Sequence, residues 1–305
     1  VEKHCGIPAS DVVIASTGVI GQKLSLEPIA GGMKELVEGL ESTPGGSLAA
    51  AEAIMTTDTV PKELAYEFQL GEIKCRIGAI CKGVGMLCPN MATMLMFITT
   101  DVSISPEMLQ KALSADVKDS LNMVSVDRDT STNDTLCVMA SGLAGNAVID
   151  RADTDYKKFC RALHAVTTAL CKKIAADGEG ATKLIECNVT GAKSKQIART
   201  VAKSVVCSNL LKAAIFGADA NWGRVLCAIG YSGAAVNVKK IGVSFTSAAG
   251  EIEVCEEGMG IDFSEDAAMK VLSEKEIGIQ VNLHDGNYGA TAWGCDLTYE
   301  YVHIN

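Results

Sequence analysis

The residues most suited to catalysis lie between Lys82 and Leu95, where a Gly-containing loop precedes Thr93 at the start of an apolar run. If the chain is cut between Ala92 and Thr93, the threonine gains a free α-amine beside its hydroxyl. Such an amine has an unperturbed pKa of about 7.7–8.0 and suits a general base at neutral pH, so Thr93 could act as a nucleophile without a histidine. Thr93 could equally be a β-branched residue that opens a strand. The spacing alone leaves both interpretations open.

Other motifs with known chemistry are incomplete in this chain. Gly83 and Gly85 lack the third glycine of a dinucleotide-binding fingerprint, and no GxSxG elbow of a serine hydrolase occurs. The stretch from Asp127 to Asn133 begins like a calcium loop, but Thr132 stands where that loop requires glycine. None of the 12 cysteines forms a CxxC pair. We therefore expect neither a metal ion nor an organic cofactor.

The charge balance of the chain opposes a nucleic-acid partner. Lys and Arg number 27 against 37 Asp and Glu, a formal net charge of −10, so the surface as a whole repels phosphates. Apolar stretches such as 94–98 are far shorter than a membrane span. Most cysteines are expected to be small buried hydrophobes in a reducing compartment. We therefore expect a cytoplasmic protein with neither a nucleic-acid nor a membrane partner.

Capping residues, prolines and apolar periodicity predict the elements that must position these groups. Strands are predicted at 11–16, 93–99 and 135–140, with a strand-like stretch over 63–80 and β-rich segments within 224–255 and 279–304. Helices are predicted from Pro28 to about Gly39, over 48–55 with Ser47 as the cap, and over about 106–122, 155–176 and 194–216. Helices layered around mainly antiparallel strands indicate an α+β protein.

Five motifs, in order along nearly the whole chain, closely resemble the ornithine acetyltransferase family of arginine biosynthesis, also called glutamate N-acetyltransferase. They occupy residues 16–21, 82–95, 177–182, 216–224 and 292–298. The resemblance implies an α/β (α+β) fold of the amino-terminal-nucleophile-like kind, a layered sandwich of helices around mainly antiparallel sheets. It also implies a smaller C-terminal α/β subdomain from about residue 190, and it favours the interpretation of Thr93 as a nucleophile.

The same resemblance implies a division of the chain and a reaction. The precursor would cut itself into residues 1–92, an α chain, and residues 93–305, a β chain that begins with the nucleophile. Thr93 would take an acetyl group from N-acetylornithine, release ornithine and pass the acetyl group to glutamate without a cofactor. Acetyl-CoA is a possible further donor, and an α2β2 heterotetramer is the implied assembly. The family has a longer region before the Ser-Thr-Gly motif, so we expect Val1 and Asn305 to be ends of a truncated chain.

Further residues match positions around the nucleophile of the family. Thr17 and Gly18 match the oxyanion hole, since a hydroxyl and a glycine amide suit a developing negative charge, although this pair could also form a tight turn. Lys82 and Glu179 match substrate-binding positions, and their opposite charges suit the carboxylate and ammonium groups of an amino acid. The remaining matches to substrate-binding positions are Thr59 and Asn305.

The chain differs from the common family pattern at two positions in the loop before Thr93. Val84 stands where a small residue such as Ser is common, and Cys88 where Ala is common, which could alter loop packing or the rate of cleavage. Segments 127–134, 221–224 and 284–289 have no catalytic role that follows from the sequence. Two other functions stay open: an amidohydrolase, in which water resolves the acyl-Thr93 intermediate, and a binding or assembly protein without turnover.

Overall fold

The computed structural model describes residues 1–19, 21–87, 94–131 and 133–305 of the chain. Over these ranges the chain forms two β-sheets covered by helices, and antiparallel strand pairs outnumber parallel ones. The α+β class predicted from the sequence is confirmed. The predictions made for Cys88, Ala92 and Thr93 lie outside the described residues, so their outcome depends on experiment.

The strands of the described residues are short to medium in length. In chain order they are β1 (Lys62–Leu70), β2 (Ile73–Lys82), β3 (Leu95–Thr100), β4 (Val124–Ser125), β5 (Thr135–Ala140), β6 (Leu184–Ala192), β7 (Gly242–Ser247), β8 (Gly250–Glu256), β9 (Met259–Gly260), β10 (Glu276–Asn282) and β11 (Tyr288–Cys295). In the described ranges, the first sheet has the order β1-β2-β3-β5, and the second has the order β4-β11-β6-β10-β7-β8-β9.

The first sheet brings three strand ends together at one edge. Strands β1 and β2 form a hairpin whose turn contains Gly71 at φ +60°, a backbone conformation that glycine adopts without strain. Strand β2 then pairs antiparallel with β3, and β3 pairs parallel with β5. Lys82 lies opposite Leu95, and Leu95 lies opposite Thr135. The last residue of β2 and the first residues of β3 and β5 therefore form one row.

Helices cover both sheets. They are α1 (Glu2–Cys5), α2 (Glu27–Glu38), α3 (Pro44–Ala53), α4 (Pro106–Asp116), α5 (Thr154–Ala176), α6 (Lys195–Val206), α7 (Asn209–Phe216), α8 (Trp222–Gly230), α9 (Glu265–Leu272) and α10 (Tyr299–Ile304). Helix α5 packs against β1 and β2 of the first sheet and against β6 and β11 of the second, so it joins the two sheets. In the described parts of the chain, no helix is both long and apolar enough to cross a membrane.

Helix α5 is built to lie between two apolar surfaces. Asp153 caps its N-terminus, since the carboxylate accepts the backbone N–H of Tyr156 at 3.0 Å. Phe159, Leu163 and Leu170 are fully buried along it, and each such side chain contributes roughly 1.5–3 kcal/mol of hydrophobic stabilisation. The helix ends at Ala176, and the next residue is an acidic C-cap that belongs to the site described below.

The structure corrects several predicted helix boundaries. Thr43, not Ser47, caps the third helix, because its hydroxyl accepts the N–H of Gly46 at 3.1 Å and Pro44 supplies the first helical residue. The Ser47 hydroxyl donates instead to Glu63 at 2.6 Å. The helix predicted over 106–122 ends at 116. The helix predicted over 194–216 is two helices, since the Ser208 hydroxyl caps a second one.

Two predicted β segments are also wrong in part. Residues 11–16 form no strand in the described structure: a 3₁₀ turn covers Ala9–Asp11, and the apolar side chain of Ile14 is 83% exposed. The pattern there is strand-like, but no neighbouring edge pairs with it among the described residues. The β-rich segment predicted from 224 begins as helix α8, with Asn221 as its cap. The stretch 63–80 resolves into the β1–β2 hairpin, and the strand at 135–140 is confirmed with its predicted bounds.

Candidate active site

The candidate site begins at the row of strand ends formed by Lys82, Leu95 and Thr135. Lys82 is only 4% exposed, and its ammonium donates a hydrogen bond to the hydroxyl of Thr56 at 2.8 Å. Burial lowers the pKa of the Lys82 ammonium, while the charges of Asp58 and Glu179 oppose that shift. A cation held out of water beside a hydroxyl is poised to bind an anionic group.

A buried ion triad of Lys62, Asp58 and Asp177 lies next to Lys82 and binds the backbone of the following residue, Gly83. Lys62 is fully buried, and its ammonium lies 2.7 Å from Asp58 and 2.5 Å from Asp177. Asp58 also accepts the backbone N–H of Gly83 at 2.9 Å. Burial disfavours the ionised Asp58 carboxyl, but the hydrogen bonds from Lys62 and Gly83 outweigh it, so its pKa lies below the usual value. The triad therefore fixes the start of the loop that follows β2.

The triad also positions Thr59. Asp177 accepts the backbone N–H of Thr59 at 3.0 Å, and its other oxygen accepts the Thr59 hydroxyl. Asp177 is the C-cap of α5, so the helix that joins the two sheets delivers this carboxylate to the turn at 56–61. Asp58, Lys62 and Asp177 are site residues that were not predicted from the sequence. The i, i+4 spacing of Asp58 and Lys62 was an available signal, but 115 residues separate Lys62 from Asp177.

Glu179 lies on a loop that is pressed between two other segments. Its backbone N–H donates to the carbonyl of Val84 at 3.0 Å, and its carboxylate accepts a hydrogen bond from the side-chain amide of Asn305 at 3.0 Å. The neighbouring Gly180 has φ +67°, and a Cβ there would lie 2.6 Å from the backbone nitrogen of Tyr301. Only glycine fits that conformation at that approach. The loop thus brings Glu179 and Asn305 together beside the loop after β2.

The polar loop 127–134 closes the other side of the row. Asp127 accepts the backbone N–H of Leu87 at 2.9 Å, which ties this loop to the segment after β2. Asp134 accepts the backbone N–H of Met94, the residue before β3. Burial raises the pKa of Asp134 to about 6, although the Met94 amide and the charge of Lys82 oppose the shift. The segment that the sequence left without a role is therefore part of the site.

Thr17 and Gly18 lie in a separate hollow at the edge of this region. Together with Ser16, Val19 and residues 21–25 they line a cavity of about 290 Å³, and Asn133 of the polar loop lines it as well. Gly18 is exposed and Thr17 is half-buried. The structure therefore brings the predicted oxyanion-hole pair to the residue before Asp134. Of the predicted substrate-binding residues, Thr59 binds Asp177, Asn305 binds Glu179, and the charge of Glu179 acts on Lys82.

The two remaining motifs serve local architecture in the described structure. The Asn221 side chain caps α8 by accepting the N–H of Arg224 at 3.1 Å, and the Arg224 guanidinium donates to the carbonyl of Leu210 at 2.5 Å. Asp285 binds two lysine ammonium groups at 2.9 and 3.0 Å. A Cβ at Gly286 would lie 2.2 Å from the carbonyl oxygen of Ala192. These contacts explain why segments 221–224 and 284–289 carry turn residues.

The described residues also limit what the site can hold. Within them, no group of three or more His, Cys, Asp or Glu side chains is arranged to bind a metal ion. Lys82 is a buried cation, and Glu179 is one of the carboxylates whose charge acts on it. Such a pair complements a small molecule with one anionic and one cationic group.

The protein is thus an α+β protein in which charged side chains and a polar loop meet where strand β2 ends and strands β3 and β5 begin. The chain belongs to the ArgJ family, whose family model matches residues 1–305. It is 50% identical over 303 residues to the "Arginine biosynthesis bifunctional protein ArgJ 1" of Clostridium acetobutylicum, which covers 99% of this chain and 74% of that protein. It is 48% identical over 303 residues to the corresponding bifunctional protein of Thermotoga neapolitana, covering 99% and 76%.

A solved structure supports the same assignment. The crystal structure of the "Arginine biosynthesis bifunctional protein argJ" from Bacillus halodurans aligns with a TM-score of 0.65 at 50% sequence identity. The alignment covers 68% of this chain and 97% of that chain. The family resemblance predicted from the five sequence motifs is therefore confirmed.

Proposed function

We propose that this chain is a self-cleaving acetyltransferase that moves acetyl from N-acetylornithine to glutamate through an acetyl-Thr93 intermediate. The observation that carries the proposal is the pairing of a buried lysine with a carboxylate around the loop that leads to Thr93. Lys82 ends the strand before this loop, and the backbone of Glu179 binds the loop at Val84. Both substrates of the reaction are amino-acid derivatives with a carboxylate, and ornithine adds an ammonium group.

The first step in this proposal divides the chain. The Thr93 hydroxyl attacks the Ala92 carbonyl carbon, the C–N bond between the two residues breaks, and the Thr93 nitrogen takes up the hydroxyl proton. Water then hydrolyses the ester, which leaves a carboxylate on Ala92 and a free α-amine on Thr93. The products are residues 1–92 and 93–305, with the C-terminal subdomain from about residue 190 inside the second chain.

The second step transfers the acetyl group. The Thr93 hydroxyl attacks the acetyl carbonyl of N-acetylornithine, its proton passes to the α-amine and on to the departing nitrogen, and ornithine leaves. The amine of glutamate then attacks the acetyl ester and regenerates Thr93. Thr17 and Gly18 are assigned to the oxyanion of both tetrahedral intermediates. We assign Lys82 to the substrate carboxylate, Glu179 to the ammonium of ornithine, and Thr59 and Asn305 to further substrate contacts.

The proposal extends to partners and assembly. N-acetylornithine and glutamate are the small-molecule substrates, acetyl-CoA is a second donor to be tested, and two copies of each chain form an α2β2 heterotetramer. The relatives are named as bifunctional proteins of arginine biosynthesis, which supports the proposal of two acetyl donors. Because the protein is proposed to act on small metabolites inside the cell, we place it in the cytoplasm.

One experiment separates this function from its nearest rival. The protein is incubated with N-acetylornithine alone and then with glutamate, and the products are measured together with the intact mass of the 93–305 chain. The transferase adds one acetyl group to that chain, releases ornithine and forms N-acetylglutamate when glutamate is present. An amidohydrolase would release acetate at the same rate with or without glutamate, and an assembly protein would form no acetyl adduct. Replacing N-acetylornithine with acetyl-CoA tests the second donor.

Gly85→Ala tests the proposed role of Glu179. An added Cβ would lie 2.3–2.4 Å from the Glu179 carboxylate atoms, and these atoms end a flexible side chain, so the carboxylate moves rather than the backbone. Losing a charge-assisted hydrogen bond costs about 1.5–3 kcal/mol, so we expect KM for N-acetylornithine to rise roughly 10- to 100-fold. The unfolding midpoint should change little.

Gly78→Ala is the matched control for that substitution. Gly78 lies within β2, and its added Cβ would make an ordinary 3.6 Å contact with the Thr99 hydroxyl. We expect KM for this variant to equal that of the unaltered protein. Equal KM values for Gly85→Ala and Gly78→Ala would show that the Glu179 carboxylate does not bind the substrate.

A further inference from the structure

Asp134 has an unusual place for a carboxylate with no assigned role. It is the last residue before β5, and its Oδ1 accepts the backbone N–H of Met94, the residue before β3. Strands β3 and β5 are parallel neighbours from Leu95 and Thr135 onward. The carboxylate therefore lies beside Met94, which comes directly before β3 and directly after Thr93 in the sequence.

The second oxygen of Asp134 is buried and has no hydrogen-bond partner among the described residues. Buried polar atoms in folded proteins are nearly always paired, so an oxygen left open in this way indicates a group that the carboxylate is placed to meet. Burial raises the pKa of Asp134 to about 6, the effect expected of a carboxyl with too few partners.

Covalent geometry limits which group that is. The α-nitrogen of residue 93 is three bonds from the backbone nitrogen of Met94, so the two nitrogens are within about 4 Å of each other in any backbone conformation. One carboxylate has two oxygens about 2.2 Å apart and can bind two such nitrogens at once. Since Oδ1 already binds the Met94 nitrogen, Oδ2 is the oxygen left for a nitrogen one residue earlier in the chain.

We infer that Asp134 is a positioning residue for the Thr93 α-amine, an inference that rests on the proposed function. After cleavage, one N–H of the amine donates to Asp134 Oδ2, which directs the lone pair of the nitrogen toward the Thr93 hydroxyl. When that hydroxyl attacks the acetyl carbon, its proton moves to the amine, and the carboxylate stabilises the ammonium that forms. The same proton then leaves with ornithine, and Asp134 gains and loses none.

The surrounding charges are compatible with this role. Lys82, on β2, is the cation that acts on Asp134, and it keeps the carboxyl more acidic than burial alone would allow. Lys82 in turn feels the negative charges of Asp58 and Glu179 and the positive charge of Lys62. In the proposed mechanism, the negative charge of ionised Asp134 is attracted both to the positive charge of Lys82 and to the Thr93 ammonium that forms.

Asp134→Asn tests the inference, because the amide oxygen still accepts the Met94 N–H while an NH₂ group replaces the second oxygen. We expect cleavage at residue 93 to continue and kcat to fall about 100-fold, with KM unchanged. A carboxylate favours the charged form of a neighbouring amine, so its removal lowers the amine pKa. The rise of the single-turnover acetylation rate with pH should therefore shift by about one unit to lower pH.

Asp101→Asn is the matched control, since Asp101 follows the far end of β3, outside the site, and likewise accepts a backbone N–H, that of Arg76. It should keep the pH profile of the unaltered protein, and Asp134→Glu should recover part of the lost kcat at the original pH profile. An unchanged kcat and pH profile in Asp134→Asn would overturn the inference. So would a folded Asp134→Asn chain that stays uncut, because the role assigned here begins only after cleavage.

The failure of this inference is distinguishable from failure of the proposed function. If the unaltered protein forms no acetyl adduct on the 93–305 chain, the function itself is wrong. If the adduct forms at equal rates and with equal pH dependence in the unaltered protein and in Asp134→Asn, the function holds and the role of Asp134 is wrong. Circular dichroism and the thermal unfolding midpoint of each variant confirm that the compared proteins are folded.

Discussion

Replacing Thr93 with alanine is expected to leave a single uncut chain and to abolish acetyl transfer. In the proposed mechanism the Thr93 hydroxyl makes the attack in both reactions, so its removal eliminates the nucleophile rather than weakening a contact. We expect transferase activity to fall by at least about 1,000-fold, and intact-mass analysis should show no 1–92 and 93–305 products. Fragments cut between Ala92 and Thr93 in this variant would contradict the proposal.

Two further variants, one conservative substitution and one control, test whether the hydroxyl of Thr93 is the reacting group. Thr93→Ser retains a hydroxyl beside the future α-amine, so it should still be cut and should keep measurable activity, although at a reduced rate. Thr99→Ala removes an exposed threonine from strand β3, which begins two residues after Thr93 in the sequence, and this variant should be cut and active like the unaltered protein. If Thr93→Ser were as inactive as Thr93→Ala, the hydroxyl would not be the reacting group.

The second large effect is expected at Lys62. Lys62→Met keeps the length of the side chain but removes the cation shared by two carboxylates, whose side chains are 0% exposed at Asp58 and 6% exposed at Asp177. Breaking a buried ion pair by removal of one partner costs about 3–5 kcal/mol, because the remaining charge is left buried. Urea unfolding at pH 7 should show this loss as a lower midpoint. Activity should fall as well, since Thr59 depends on Asp177.

Lys74→Met is the matched control for that loss of stability. Lys74 forms an exposed pair with Glu67 at 2.8 Å across the same hairpin, and such pairs contribute about 0–1 kcal/mol. Equal unfolding midpoints for Lys62→Met and Lys74→Met would contradict the importance of the triad.

Acid provides a second check on the triad. The folded-state pKa of Asp58 lies below its unfolded value, so the stability this group contributes is present at pH above about 4 and is lost as the pH falls through its folded pKa. The difference in free energy of unfolding between Lys62→Met and the unaltered protein should therefore narrow in acid.

Local signals in the sequence were sufficient for several elements. The cap and first-turn proline at Ser105 and Pro106 mark the start of α4, and the apolar run over 135–140 marks β5 with its observed bounds. The interrupted helix at 194–216 was not predictable in this way, because Ser208 is a single polar residue within an otherwise helical apolar pattern. Whether such a serine faces solvent or caps a new helix depends on packing, which the local pattern does not contain.

The site shows the same division between local and distant information. Lys82, Glu179 and Asn305 were identified through motifs, and the structure places the latter two in direct contact. Asp177 was quoted within a motif, but its partnership with Lys62 joins residues 115 positions apart, and nothing in either segment specifies the other. The unpartnered oxygen of Asp134 is likewise a property of the folded chain alone.

The register of the first sheet has a consequence for how the two products of cleavage behave. In the proposed cleavage, strand β2 would belong to the 1–92 chain and β3 to the 93–305 chain, yet the two strands are hydrogen-bonded neighbours from Ile77 with Thr100 to Lys82 with Leu95. Lys62 and Asp177 form a second bond between them. The proposed cut would break one covalent bond and leave the β2–β3 hydrogen bonds and the Lys62–Asp177 ion pair in place. We therefore expect the two fragments to complement each other and to separate only when the first sheet unfolds.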